Sequence, residues 1–111
     1  MKKRKIIYLY RAVGVDEFRS IIKTRQFDVL EFGLHVKHFG LNYYETLDFA
    51  NKEFNIDVIA IFEIAIFEDT IRKLGDFTHV DPYIFKSGTV DIHSDRLNEF
   101  NNAIIDIFHI S

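Results

Sequence analysis

The feature that most constrains the fold is an apolar run at residues 58–67, which contains a single charged residue, Glu63. The run is rich in β-branched and aromatic residues, and the polar segments 55–57 and 68–70 bound it. This composition predicts a central strand that is buried on both faces. Because a buried carboxylate needs a partner or marks a site, we expect Glu63 to be buried and paired with a basic or hydroxyl group.

The length and composition indicate one folded domain spanning residues 1–111. Apolar residues make up 48% of the chain, which is enough for a hydrophobic core and too much for a disordered segment. The net charge of -3 argues against a dedicated nucleic-acid binder, and the basic cluster at residues 2–5 is interpreted as a solvated leader. The absence of cysteine excludes disulfide bonds and thiolate chemistry.

The hydrophobic segments are short. The longest uninterrupted apolar runs have five residues, whereas a membrane span needs about 20. The apolar segment at residues 6–10 is too short for the core of a signal peptide, and Arg11 closes it. We therefore expect no membrane partner and a cytoplasmic location, with export by a route without a signal peptide as the alternative.

The predicted strands and helices alternate in the first half of the chain, and the second half is mostly strands with one short helix. We expect a helix capped by Asp16 and running to about Thr24, with Val15, Phe18, Ile21 and Ile22 on one apolar face. We also expect a helix from Asn42 to about Glu53, a helical turn at 68–74, and a short helix capped by Ser94 or Asp95. The segments 26–36 and 76–87 are interpreted as irregular, with some extended pairing. Strands are predicted at residues 6–13, 38–41, 58–67, 89–93 and 106–110. Because the second half lacks crossover helices, the pattern favours an α+β fold with mixed, largely antiparallel sheets.

Three segments together resemble the ADP-ribosyltransferase-like fold, in particular its small bacterial toxin-type members. Residues 9–12, Leu-Tyr-Arg-Ala, are similar to that family's first strand, which ends in an arginine. Residues 37–50 resemble its aromatic strand, a turn, and a helix that contains an aspartate and an alanine. Residues 91–101 resemble a late strand and an acidic residue before a short helix with a Leu-x-x-Phe-Asn ending.

The resemblance implies a domain that binds NAD as a substrate and transfers ADP-ribose to a macromolecular target, such as a protein. It implies that Arg11 holds the phosphate side of NAD and that Asn42 meets the ribose. Tyr43 and Tyr44 would pack against the nicotinamide.

The resemblance also implies a carboxylate that stabilises the positive charge developing on the ribose. That carboxylate is Asp95, or Glu63 if the strands place it in the cleft. Arg11, Asn42 and Asp95 are then expected to approach one another across one concave surface. The family has a hydroxyl group where this chain has Leu41 and Asn42, and a longer side chain at Asp95, so we expect weak NAD binding and slow turnover.

Each candidate residue also has a purely structural interpretation. Arg11 would form a salt bridge with Glu63 across neighbouring strands. Asn42 and Asp95 would serve as helix caps. Tyr43 and Tyr44 would be core residues at a helix start.

Two other functions fit the sequence. A domain that keeps the fold but has lost the chemistry would be a non-catalytic module that binds a protein or a nucleotide. A phosphotransferase acting on a 2'-phosphate would need several basic residues in the cleft, and the chain offers few. The spacing of the histidines predicts no metal site. Phe27 and Phe32 are candidates for a homo-oligomer interface.

Overall fold

A computed structural model describes residues 3–28, 36–79 and 81–111. The described residues form a single sheet of six strands with short helices on its faces. The strands are β1 (Ile6–Val13), β2 (Val36–Gly40), β3 (Ala60–Phe67), β4 (Asp76–Thr78), β5 (Thr89–His93) and β6 (Asp106–His109). The helices are α1 (Val15–Thr24), α2 (Tyr43–Ala50), α3 (Glu68–Leu74) and α4 (Leu97–Ala103), with 3₁₀ turns at Glu53–Asn55 and Ser94–Arg96.

The strand order is β4-β5-β2-β1-β3-β6, and every pair of neighbouring strands is antiparallel. The predicted α+β class is confirmed. Its likeness to the ADP-ribosyltransferase-like fold stays a prediction.

The apolar run forms an interior strand, the fifth in the order of six, and it is buried on both faces as predicted. Strand β3 pairs with β1 over eight residues, from Ile6 opposite Phe67 to Val13 opposite Ala60. Its other edge pairs with β6. Side chains on both faces of β3 are buried, which explains why the run is apolar at nearly every position rather than at alternate ones.

One face of the sheet carries the main core. Phe39 on β2 packs against Phe27 and Phe100, with ring centroids 5.3 and 5.0 Å apart. Phe18 of α1 packs against Phe62 of β3 at 5.8 Å. Phe27 is therefore a fully buried core residue, and its expected place in an oligomer interface is wrong. Phe32, the other residue of that expectation, lies outside the described residues, as does the rest of the segment 29–35.

Helix α1 buries only part of the predicted apolar face, since Phe18 and Ile21 pack against the core but Val15 and Ile22 do not. It begins after Gly14, and the side chain of Asp16 lies in its first turn instead of capping it. Val15 and Ile22, which were expected to face the core, are 45% and 50% exposed. Ile21 is buried as expected, and the position next to it on that face is taken by Glu17, which pairs with charged groups of the sheet.

Helix α2 lies on the opposite face of the sheet. Neighbouring residues of a strand point to opposite faces, so Gly40 faces away from the core that Phe39 enters. A Cβ atom on Gly40 would lie 2.3 Å from Oγ1 of Thr46, and only glycine allows α2 to approach this closely. The helix ends at Ala50, three residues before the predicted end.

The second half follows the predicted order with two differences. The segment predicted as irregular contains the short strand β4, which pairs with β5. Neither Ser94 nor Asp95 caps a helix through its side chain, because both lie in a 3₁₀ turn before α4. Among the helices of the described residues, none has the length and apolar character that crossing a membrane requires.

Candidate functional site

The sheet opens between β1 and β2. Within the described parts of these two strands, only Tyr10 and Gly40 are paired, whereas β1 pairs with β3 along its whole length. The guanidinium group of Arg11 bridges the opening, since its Nη1 donates to the backbone oxygen of His38 at 2.9 Å. At this point a side-chain hydrogen bond stands in for the backbone hydrogen bonds that would otherwise join β1 and β2.

Arg11 belongs to a cluster of three charged groups, the Arg11–Glu17–Lys37 cluster. Arg11 donates from Nε and Nη2 to the two carboxylate oxygens of Glu17, and Lys37 Nζ lies 3.4 Å from Oε1 of Glu17. Burial alone would raise the pKa of Glu17, but its bonds to Arg11 and the charge of Lys37 lower that pKa below its ordinary value. Burial lowers the pKa of Lys37. Two cations and one carboxylate leave a net positive charge here.

The alternative that Arg11 pairs with Glu63 is wrong. In the β1–β3 register Arg11 lies opposite Phe62, while Glu63 lies opposite Tyr10. Arg11 therefore faces the core side of the sheet and Glu63 faces the α2 side. The sequence could not separate these outcomes, because they differ only in the register of the two strands.

A cavity of about 240 Å³ lies where β1, β2 and α2 meet. We call it the β1–β2 cavity. Its walls are mostly apolar, with aromatic rings from α2 and from the loop before β5. It is smaller than the roughly 300–1,000 Å³ of typical ligand pockets, so it can hold one ring with its neighbouring sugar, but not a whole dinucleotide. The lining residues are Tyr10, Arg11, Ala12, His38, Phe39, Gly40, Thr46, Phe49, Asp81, Phe85 and Thr89.

Glu63 is half-buried and is paired with a hydroxyl group of a residue that lines this cavity. The hydroxyl of Tyr10 donates to Oε2 of Glu63 at 2.9 Å. Burial, together with this hydrogen bond, raises the pKa of Tyr10 to about 12. The expected pairing is confirmed, whereas the expected full burial is not, because the Glu63 side chain keeps partial access to solvent.

The predicted ribose and nicotinamide residues lie at the start of α2. Asn42 is the N-cap, with its Oδ1 accepting from the backbone N–H of Glu45 at 3.1 Å. Tyr43 packs edge-on against Tyr10 with centroids 6.0 Å apart, so it is partly a structural residue. Tyr44 is 76% exposed and is not the core residue of the structural interpretation.

Asp95 lies away from the β1–β2 cavity. In the β2–β5 register Gly40 is opposite Thr89 and Val36 is opposite His93. Asn42 therefore follows one end of this strand pair and Asp95 follows the other. The two ends are about 13 Å apart, the length of four residues of strand. Asp95 lines a separate groove with residues of α3 and β4. The expected convergence of Arg11, Asn42 and Asp95 on one concave surface is not observed.

The structure places a histidine on the cavity wall and pairs it with a carboxylate of the neighbouring strand, a pair that the sequence did not indicate. His38, on β2, places Nδ1 2.5 Å from Oδ1 of Asp91, on β5. The two residues face each other in register and lie 53 positions apart in the chain. Alternation within the two predicted strands puts each residue on a known face, but only the pairing of the strands brings them together.

No protein-family model, curated protein or solved structure matches this chain. The resemblance to ADP-ribosyltransferases therefore stays a prediction from residues 9–12, 37–50 and 91–101. In the residues that the structure describes, no three His, Asp or Glu side chains are arranged to hold a metal ion.

Proposed function

We propose that this domain binds the nicotinamide end of NAD in the β1–β2 cavity and transfers ADP-ribose slowly to a macromolecular target. One observation carries the proposal. Two of the three segments on which the resemblance to ADP-ribosyltransferases rests, 9–12 and 37–50, lie far apart in the sequence and line the same cavity. They supply eight of its eleven lining residues, so the cavity is built mainly from the matching positions.

The cavity walls suit a flat ring. Phe49 and Phe85 pack against each other at 5.2 Å, and Tyr10 forms another part of the wall. A nicotinamide ring between such side chains buries apolar surface and makes stacked or edge contacts. The net positive charge of the Arg11–Glu17–Lys37 cluster favours an anionic diphosphate at the same opening. In this proposal Arg11 attracts the diphosphate by its positive charge and not by a direct hydrogen bond, because Glu17 already accepts from two of its nitrogens.

The carboxylate that stabilises the developing ribose cation is Glu63 in this proposal. It lies on the α2 side of the sheet, next to Tyr10, and is partly accessible. Asp95 fits this role less well because it lies at the other end of the β2–β5 pair. Asn42 uses its side-chain oxygen for the helix cap, so its contact with a ribose would come from the side-chain NH₂ group.

Calorimetric titration with NAD, followed by an assay for released nicotinamide, tests the proposal. The variant Ala12→Leu should abolish binding, since it adds a side chain inside the cavity. The matched control is Ala50→Leu, at a half-buried alanine of α2 that lines a different groove. Equal binding of NAD by wild type and Ala12→Leu, or no binding at millimolar NAD, would contradict the proposal.

The second candidate is a non-catalytic module that binds a nucleotide or a protein. Two observations favour it. Arg11 makes a bidentate contact with Glu17, which leaves fewer of its donors for NAD, and Asp95 lies away from the cavity. The same titration separates the candidates. A non-catalytic module binds without releasing nicotinamide, whereas a transferase releases it, and Glu63→Gln should slow that release about 10²–10³-fold.

A further inference from the structure

We propose that His38 is the general base of this site and that Asp91 positions it. The inference rests on the proposed function and adds the group that accepts a proton from the attacking nucleophile. His38 lies on the wall of the cavity that is proposed to hold the reacting sugar, and its ring shares a hydrogen bond with the carboxylate of Asp91 on the neighbouring strand.

The carboxylate fixes the histidine in one tautomer. With Nδ1 donating to Oδ1 of Asp91, the proton of a neutral imidazole lies on Nδ1, and Nε2 carries a lone pair. Asp91 is held in place, because its other oxygen accepts from the hydroxyl of Thr78, and Thr78 bonds to Thr89. The Asp91 side chain is 13% exposed, so most of the orienting carboxylate is shielded from solvent.

The imidazole is accessible where the carboxylate is not. The side chain of His38 is 43% exposed while also lining the β1–β2 cavity. A nucleophile can therefore approach from solvent and meet a ligand in the cavity next to the ring. A half-exposed base beside an enclosed pocket suits a reaction between a bound donor and an incoming acceptor.

The step balances without any further reactant. The oxygen of an acceptor hydroxyl, or of water, forms a bond to C1' of the nicotinamide ribose. The bond from C1' to the ring nitrogen breaks, and its electron pair stays on nicotinamide, which leaves as a neutral molecule. The acceptor proton moves to Nε2 of His38, and the imidazolium later gives that proton to solvent.

Several charged or titratable groups face His38. Asp91 lies opposite it on β5, and Tyr10 on β1 and Asp81 in the loop before β5 line the same cavity. The guanidinium of Arg11 bonds to the backbone oxygen of His38. Of these groups, Asp91 is the one bonded to the ring, so it is the one whose removal should change the ionisation of His38 most.

The test measures nicotinamide release from NAD across a range of pH, with water as the acceptor. Wild type should show a rate that rises with pH through one ionisation. His38→Gln should lower the rate about 10²–10⁴-fold and remove that pH dependence, while NAD affinity measured by calorimetry changes far less than the rate. His38→Ala should recover part of the rate when imidazole is added, which a merely structural histidine would not do.

Asp91→Asn tests the positioning role. Removing the negative charge makes the imidazolium less stable, so the ionisation seen in the rate profile should move to lower pH. The matched control is His93→Gln. His93 also pairs with a carboxylate, that of Asp76 at 3.0 Å, but it does not line the cavity, and its loss should change neither the rate nor the profile.

The outcomes separate the two proposals. Nicotinamide release by folded His38→Gln at the wild-type rate overturns the role of His38 and leaves NAD binding intact. The role of His38 is also overturned if the wild-type protein binds NAD but releases nicotinamide no faster than a solution without protein. If wild type does not bind NAD, both proposals fail. If His38→Gln does not fold, the pH profile of nicotinamide release by Asp91→Asn decides the role of His38. A profile identical to that of wild type counts against the inference.

Discussion

At the scale of single residues, the carboxylate of Glu17 pairs with two cations. It is the one carboxylate between Arg11 and Lys37 in their buried cluster, and its side chain is 9% exposed. Glu17→Gln leaves these two cations facing each other without a compensating charge. We expect a loss of roughly 3 kcal/mol in the free energy of unfolding at neutral pH, measured with denaturant.

This loss should depend on pH in a defined direction. The pKa of Glu17 is lowered from 4.5 in the folded protein, so its contribution to stability is complete above 4.5 and disappears as pH falls through the folded pKa. Wild type and Glu17→Gln should therefore become similar in acid. Asp16→Asn, an exposed neighbour on the same helix, is the control. A Glu17→Gln variant as stable as wild type at neutral pH would contradict this account of the cluster.

Tyr10 gives a second prediction at the residue scale. Its pKa is raised from 10.0 to about 12, by burial and by the hydrogen bond to Glu63. Ultraviolet absorbance should show one tyrosine ionising at about 12, and Glu63→Gln should lower that value. Because the folded pKa is raised, the stability gained from this group is complete below 10.0 and is lost as pH rises towards 12. Tyr44→Phe, an exposed control, should leave this transition in place; its disappearance would assign the transition to Tyr44 instead.

At the scale of elements, α2 depends on its N-cap. The side chain of Asn42 accepts from the backbone N–H of Glu45, and Glu45 in turn accepts from the backbone and hydroxyl of Ser87. Asn42→Ala should cost about 1 kcal/mol in the free energy of unfolding. Asn42→Asp keeps the accepting oxygen and should cost much less. Equal losses in the two variants would show that the cap bond does not stabilise α2.

The sequence predicted most of the elements because their patterns are local. Strand β1 and helix α3 have their predicted bounds, and the Asn42 cap forms as expected. The errors on α1 have a tertiary cause. The apolar residues of the helix were used to predict its buried face, yet Arg11 and Lys37, on two different strands, make the burial of Glu17 favourable. Those partners come from tertiary pairing, which a helical pattern does not report.

At the scale of the whole molecule, the site depends on strand order and register. The β1–β2 cavity combines segments from four parts of the chain, and the His38–Asp91 pair joins residues 53 positions apart. The sequence placed Asp95 with Arg11 and Asn42 by analogy with a family order. The antiparallel β2–β5 register instead sends Asn42 and Asp95 to opposite ends of that strand pair. Register is set by long-range packing, so the single sequence could not supply it.

The most direct test of the central claim is to map NAD binding by the chemical shifts of backbone amides. NAD should move the signals of residues around Tyr10, His38 and Phe49, on the three elements that enclose the β1–β2 cavity. The signals of α3 and of the groove that contains Asp95 should stay in place, and Ala12→Leu should abolish the shifts. Shifts confined to the Asp95 groove, or no shifts at millimolar NAD, would contradict the account.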